Sequence, residues 1–245
     1  MAGGRGIGGG GAEEFARQAE RALGQNLVSL LAYGGLVRGA GSPDAGGADV
    51  LVIVRDAGAA ALRPLAPVVA RWVRDVHPAP LIFSESEWRA SADVFPIEVE
   101  DMREAHRLLR GKDPFAGVST QRSDLRAELE REVRGKLLQL RAEYAAAAAD
   151  GRRLGVLLEQ SAGTFFVLLR AVLRLAGRVP PAEPEALVGA AAEVAGLDRG
   201  GFDWVLERRA GRKPPALQPY DPLAVRYVDA IERLARWVDE ARGEA

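Results

Sequence analysis

Leu27-Val-Ser-Leu-Leu-Ala-Tyr33 is a short apolar run that stops at Gly34-Gly35, and Asp49-Val-Leu-Val-Ile-Val54 is a second, reached through the Gly/Pro-rich loop of residues 39–47. Both runs are too short for a core helix, rich in aliphatic and β-branched residues, and bounded by turn formers. Those are the marks of strands buried on both faces. Their reading decides the class, because a sheet so buried needs helices on either side. Upstream, Ala12 to Leu23 has a helical stripe of Phe15, Ala19 and Ala22. Downstream, residues 59–76 repeat apolar positions at Leu62, Leu65, Val69, Trp72 and Val73, with Pro64 and Pro67 near first turns, where a missing N–H is tolerated.

Further along, Pro80-Leu-Ile-Phe83 predicts a third strand, and Ser84-Glu-Ser-Glu87 has the spacing of a capping box that opens a short helix. Val94-Phe-Pro-Ile-Glu-Val99 predicts the next strand, with the proline placing it at an edge or a start. A short helix about Met102 to His106 then leads to Leu108-Leu109 and the turn at Gly111 to Pro114. From Ser123 the character changes. Leu125, Leu129, Val133, Leu137, Leu140 and Tyr144 recur every three or four residues; Leu154 to Leu175 is apolar on more than one side; and helices follow near residues 185–195, 202–209 and 223–238. The expectation is an α+β protein: a Gly-rich, floppy leader over residues 1–11, a small mixed sheet with flanking helices over 12–118, and an all-helical bundle over 119–245.

Composition narrows the function. The chain has 245 residues, 33 basic and 34 acidic, with a net charge of −1, so there is no strong sign of nucleic-acid binding and no general attraction to anionic membranes. With no cysteine, disulfides, thiolate nucleophiles and Cys-type zinc sites drop out. The start lacks the apolar core of a signal peptide, and Arg170 and Arg174 interrupt the longest apolar stretch, so a cytoplasmic protein without a membrane span is expected. Gly4-Arg-Gly-Ile-Gly-Gly9 matches a dinucleotide fingerprint only formally, since no strand precedes it. His77 and His106, the only histidines, lack a partner at ligand spacing. Arg134, Lys136 and Arg141 fit the polar face of a long helix, and Gln160, Ser161 and Thr164 either hydrogen-bond inside the bundle or line a cleft.

The segment Tyr33-Gly-Gly-Leu-Val-Arg-Gly39, a Gly/Pro loop, and Ala48-Asp-Val-Leu-Val-Ile-Val54 together resemble the nucleotidyltransferase-fold proteins of the DNA polymerase beta superfamily. Phe95-Pro-Ile-Glu-Val-Glu-Asp-Met102 is similar to the later segment that carries a carboxylate in bacterial members, and the helical half resembles the bundle of aminoglycoside-type nucleotidyltransferases. The resemblance implies that Gly34, Gly35 and Arg38 would face the phosphates of a nucleoside triphosphate. It implies a pair of aspartates holding Mg2+, with a third carboxylate nearby. Carboxylates two apart on a strand project from one face and can share metal ions.

Here the pattern is reduced. Counted without gaps, Asp49 takes the second aspartate position, Gly47 the first, and Gly35 stands where the family has serine; a slip of one residue leaves Leu51 in place of the second acid. Asp44 in the loop is a possible substitute, and Glu98, with Glu100 on its face, is the candidate third carboxylate. Asp49 and Glu98 are thus the candidate catalytic and Mg2+-holding residues. The expected function is a nucleotidyltransferase-like protein of weak or lost catalysis, kept as a nucleotide-binding or protein-binding module, with self-association through the helical half open. The alternative is a working Mg-dependent enzyme that moves a nucleotidyl group to an acceptor. Another possibility is a partner-binding bundle with an apolar patch near Tyr227 and Trp237 on the last helix.

Overall fold

The computed structural model describes residues 9–34, 37–38, 49–75 and 77–241. Gly35, Asp44 and Gly47 lie outside them. The chain divides into two compact units, Met1–Thr120 and Gln121–Ala245. In class it is α+β, with a mixed four-stranded sheet and a mostly helical remainder.

In the first unit the strands are β1 (Leu27–Tyr33), β2 (Asp49–Val54), β3 (Leu81–Ser84) and β4 (His106–Gly111), in the order β3-β2-β1-β4. β1 pairs antiparallel with β2 and with β4, while β2 and β3 run parallel. The two apolar runs are the central strands, buried along nearly their whole length. On one face Leu30, Ala32, Val50, Val52 and Val54 pack with Phe15 and Ala19 of α1 (Gly9–Leu23) and with Leu65 and Trp72. The last two come from the segment in which α2 (Ala59–Leu62) passes through a 3-10 turn into α3 (Ala66–Arg74). On the other face Leu31, Leu51 and Ile53 meet Trp88 of α4 (Glu85–Ala90) and Val99 and Met102 of α5 (Pro96–Glu104). A bulge at Ser29 shifts the alternation, so Val28 and Leu31 share that second face. Gly111 approaches there so closely, at φ 78°, that a Cβ would lie 2.1 Å from the Val28 carbonyl oxygen.

Two expectations are corrected. Residues 94–99 are not a strand: Pro96 occupies the first turn of α5, and the amides of Val94 and Phe95 both bond to the Ser91 carbonyl. The alternation of Ile97 and Val99 imitated a strand, but Val99 and Met102, three apart, set the buried face of a helix. Glu98 and Glu100 therefore do not share a face as they would on a strand. The fourth strand is instead His106–Gly111, an edge strand whose Arg107 and Arg110 interrupt any apolar pattern and discourage pairing with another chain. Arg110 also bonds Glu13 and Glu20 of α1. The helix α1 begins at Gly9, inside the stretch expected to be floppy. The Ser84/Glu87 capping box is present as expected.

The second unit holds α6 (Arg122–Ala147), α7 (Gly151–Leu175), α8 (Pro184–Ala195), α9 (Gly200–Arg209) and α10 (Pro222–Glu240). The Asp150 carboxylate caps α7 by accepting from the amides of Arg152 and Arg153. By length and composition α7 could cross a membrane; here most of its apolar window is buried, with the other helices packed around it. Ser161 faces inward and hydrogen-bonds the Tyr227 hydroxyl at 3.0 Å, whereas Gln160 and Thr164 are exposed. Tyr227 takes no part in an exposed patch. Tyr227 is fully buried between Phe165 and Phe202.

Candidate functional site

Tyr33, at the end of β1, stands opposite Asp49 of β2 on one side and His106 of β4 on the other. All three side chains belong to the face covered by α5. Tyr33 packs on that core, Asp49 lies two residues before Leu51, and the His106 ring sits 4.7 Å from Phe115. The turn after Tyr33 completes the arrangement. Gly34 has φ 78°, donates its amide to the Ala105 carbonyl at 3.1 Å, and accepts from the amides of Val37 and Arg38. A Cβ on Gly34 would lie 3.0 Å from Asp49 Oδ2, so the carboxylate leans directly over the glycine. Glycine is needed here for both conformation and space.

The charges are uneven. Burial pushes the Asp49 carboxyl up to about 6. Burial is also the main cause that pushes the Tyr33 hydroxyl far above its ordinary range, and the negative charges of Asp49, Glu98 and Asp101 add to it. The charges of Asp49, Glu98 and Asp101 thus all bear on one phenol. Arg38 is the cation at this end, and it is engaged. Its guanidinium donates to both carboxylate oxygens of Asp101 at 3.0 Å and to the Asp101 backbone oxygen at 2.9 Å, with Glu104 at 4.0 Å. Only 7% of that side chain is exposed. Such a fork-to-carboxylate pair is strong and directional, and it turns Arg38 toward α5.

Of the residues singled out in the sequence, Gly34 and Asp49 meet directly. Arg38 belongs to the same end of the sheet but is tied to Asp101. Glu98 sits exposed on the first turn of α5, where its charge reaches Tyr33. Glu100 points elsewhere: it accepts from Thr120 at 2.7 Å and pairs with Arg103 at 3.3 Å. Sequence reasoning missed Tyr33, Asp101 and His106 as members of the cluster. Tyr33 was detectable as a polar tip at the end of an apolar strand that runs into Gly-Gly; Asp101 became visible only once residues 96–104 proved helical.

Among the described residues, no three His, Asp or Glu side chains converge as a metal-holding group. The described donors do not fit the paired-aspartate grip that the resemblance implies. Among the described residues Asp49 is the one strand-borne acid here, and Asp101 is held by Arg38. No protein-family model matches the chain, and comparison with curated proteins finds no match.

Proposed function

We propose that the first unit is a nucleotidyltransferase-like module that binds a nucleoside triphosphate weakly and transfers its nucleotidyl group poorly or not at all. The observation that carries this reading is the Asp49 carboxylate leaning over Gly34 at the end of the two central strands. An acid from one strand held against a glycine turn from its neighbour is the arrangement that the motif resemblance calls for.

The reading of weak transfer rests on charge. Two-metal catalysis needs several ionised carboxylates aimed at one place, and developing phosphoryl charge needs cations free to meet it. Among the described residues Asp49 is the one acid that the strands supply here, and the Arg38 guanidinium is engaged by Asp101. A bare triphosphate would also be repelled by Glu98 and Glu104. The test is pyrophosphate release from ATP, GTP, CTP and UTP with Mg2+ across a panel of hydroxyl and amine acceptors. Release no faster than from the Asp49→Asn variant is the expected outcome; turnover that depends on Asp49 would establish the working enzyme instead.

A further inference from the structure

His106 stands at the same end of the sheet and is held from one side by two backbone carbonyls. Its Nδ1 lies 3.2 Å from the Met102 oxygen and 3.1 Å from the Arg103 oxygen, both in the last turn of α5. Carbonyl oxygens only accept, so Nδ1 is the nitrogen that carries the proton, shared between the two. In the neutral ring the lone pair is then on Nε2. Phe115 packs on the ring at a centroid distance of 4.7 Å and, with the two bonds, fixes its plane. The ring is half-buried, and among the described residues no group is hydrogen-bonded to Nε2. A histidine locked through Nδ1, with Nε2 left over, is oriented to meet a donor from outside the chain.

From this geometry we infer that Nε2 of His106 accepts a hydrogen bond from a ribose hydroxyl of the bound nucleotide, an inference that rests on the nucleotide-binding reading above. Position comes first. Ala105, the residue before His106, accepts the amide of Gly34 at 3.1 Å, so the glycine turn and the start of β4 are fastened together. His106 also stands opposite Tyr33 in the antiparallel pair, and side chains so opposed start about 5 Å apart. Chemistry then sorts the parts of a nucleotide. Ionised phosphate oxygens are acceptors, and the lone pair on Nε2 repels them. The sugar is the part next to the phosphates, and its 2′- and 3′-hydroxyls are donors. The base lies one sugar further away and differs among the four nucleotides. A contact to the ribose is therefore indifferent to the base and sensitive to the sugar. The other histidine, His77, stacks on Trp72 at 3.8 Å, and Trp72 packs on the opposite face of the sheet.

Nitrogen-15 NMR of the full chain, labelled at its two histidines, reads the tautomer and the contact at the same atom. At about pH 8, where an imidazole is ordinarily neutral, His106 is expected as the Nδ1–H tautomer. ATP with Mg2+ should move its Nε2 resonance. The 2′,3′-dideoxy analogue of ATP should bind about 3- to 10-fold more weakly, the worth of one neutral hydrogen bond, and leave that resonance in place. His77 should respond to neither. His106→Phe keeps a flat ring against Phe115 and removes both nitrogens; it should erase the preference for ATP over the analogue. A merely structural role would weaken both nucleotides alike and keep the preference. An Nε2–H tautomer, equal affinity for the two nucleotides, or a preference that survives in His106→Phe would overturn the inference and leave nucleotide binding standing. Binding of neither nucleotide would overturn the nucleotide-binding reading, and this inference with it.

Discussion

Asp49 is a half-buried acid with no cation among the described residues drawn against it, so its protonation and the stability of the fold are linked. Its carboxyl titrates at about 6 in the folded chain, well above its unfolded value. Ionisation is therefore harder in the fold, and the penalty is fully present above pH 6. It fades as pH falls and is gone below about 4, where both states are protonated. Allowing for solvent screening of a partly exposed group, Asp49→Asn should stabilise the protein by about 1–2 kcal/mol at pH 7.5 and by nothing at pH 4. Thermal melts of both proteins across that range check the sign; a gain that is greatest at pH 4 would contradict it. Gly111 makes a sharper case. Its positive φ and the Val28 carbonyl, 2.1 Å from where a Cβ would sit, leave no room for a side chain. Gly111→Ala should cost more than about 3 kcal/mol in urea unfolding, or prevent folding.

At the scale of elements, α5 explains why part of the site was legible and part was not. The two central strands, the Gly34 turn and Asp49 follow from local sequence, because buried strands and glycine turns write their requirements into neighbouring residues. Residues 94–99 are a short, mostly apolar run as a strand would be, and nothing local reveals that Ser91 accepts the amides that start a helix, or that Met102 extends its apolar face. With the helix misread, Asp101 and its bond to Arg38, 63 residues away, could not be foreseen. That pair fastens the turn after β1 to α5. Removing the carboxylate by Asp101→Ala leaves a guanidinium buried without its partner, and breaking such a pair costs about 3–5 kcal/mol. Chemical denaturation should register this loss; a change below about 1 kcal/mol would mean that water satisfies Arg38 as well as Asp101 does. The edge strand β4 was missed for a related reason. Exposed positions such as Arg107 and Leu108 answer to solvent and to α1 rather than to strand alternation.

Taken whole, the chain is two units, each with its own buried core. The sheet unit is sandwiched between helix layers, and the helical unit is built on α7, with Leu154, Leu158, Phe165, Leu169 and Val172 inside. A fragment of residues 121–245 should therefore fold alone, with a helical far-ultraviolet spectrum and a cooperative melt. A non-cooperative melt of that fragment would show that its core is incomplete. The bundle was legible because its helices are long and their apolar period is repeated many times, whereas the sheet unit depends on short elements that complete one another. We propose above that the sheet unit carries a reduced nucleotidyltransferase-like site. The most direct measurement is calorimetric titration of the protein with ATP, GTP, CTP and UTP, with and without Mg2+, alongside the Gly35→Ser/Gly47→Asp variant. The account predicts weak binding of at least one nucleotide by the native chain and tighter, Mg2+-dependent binding by the variant. No binding by either protein would contradict it.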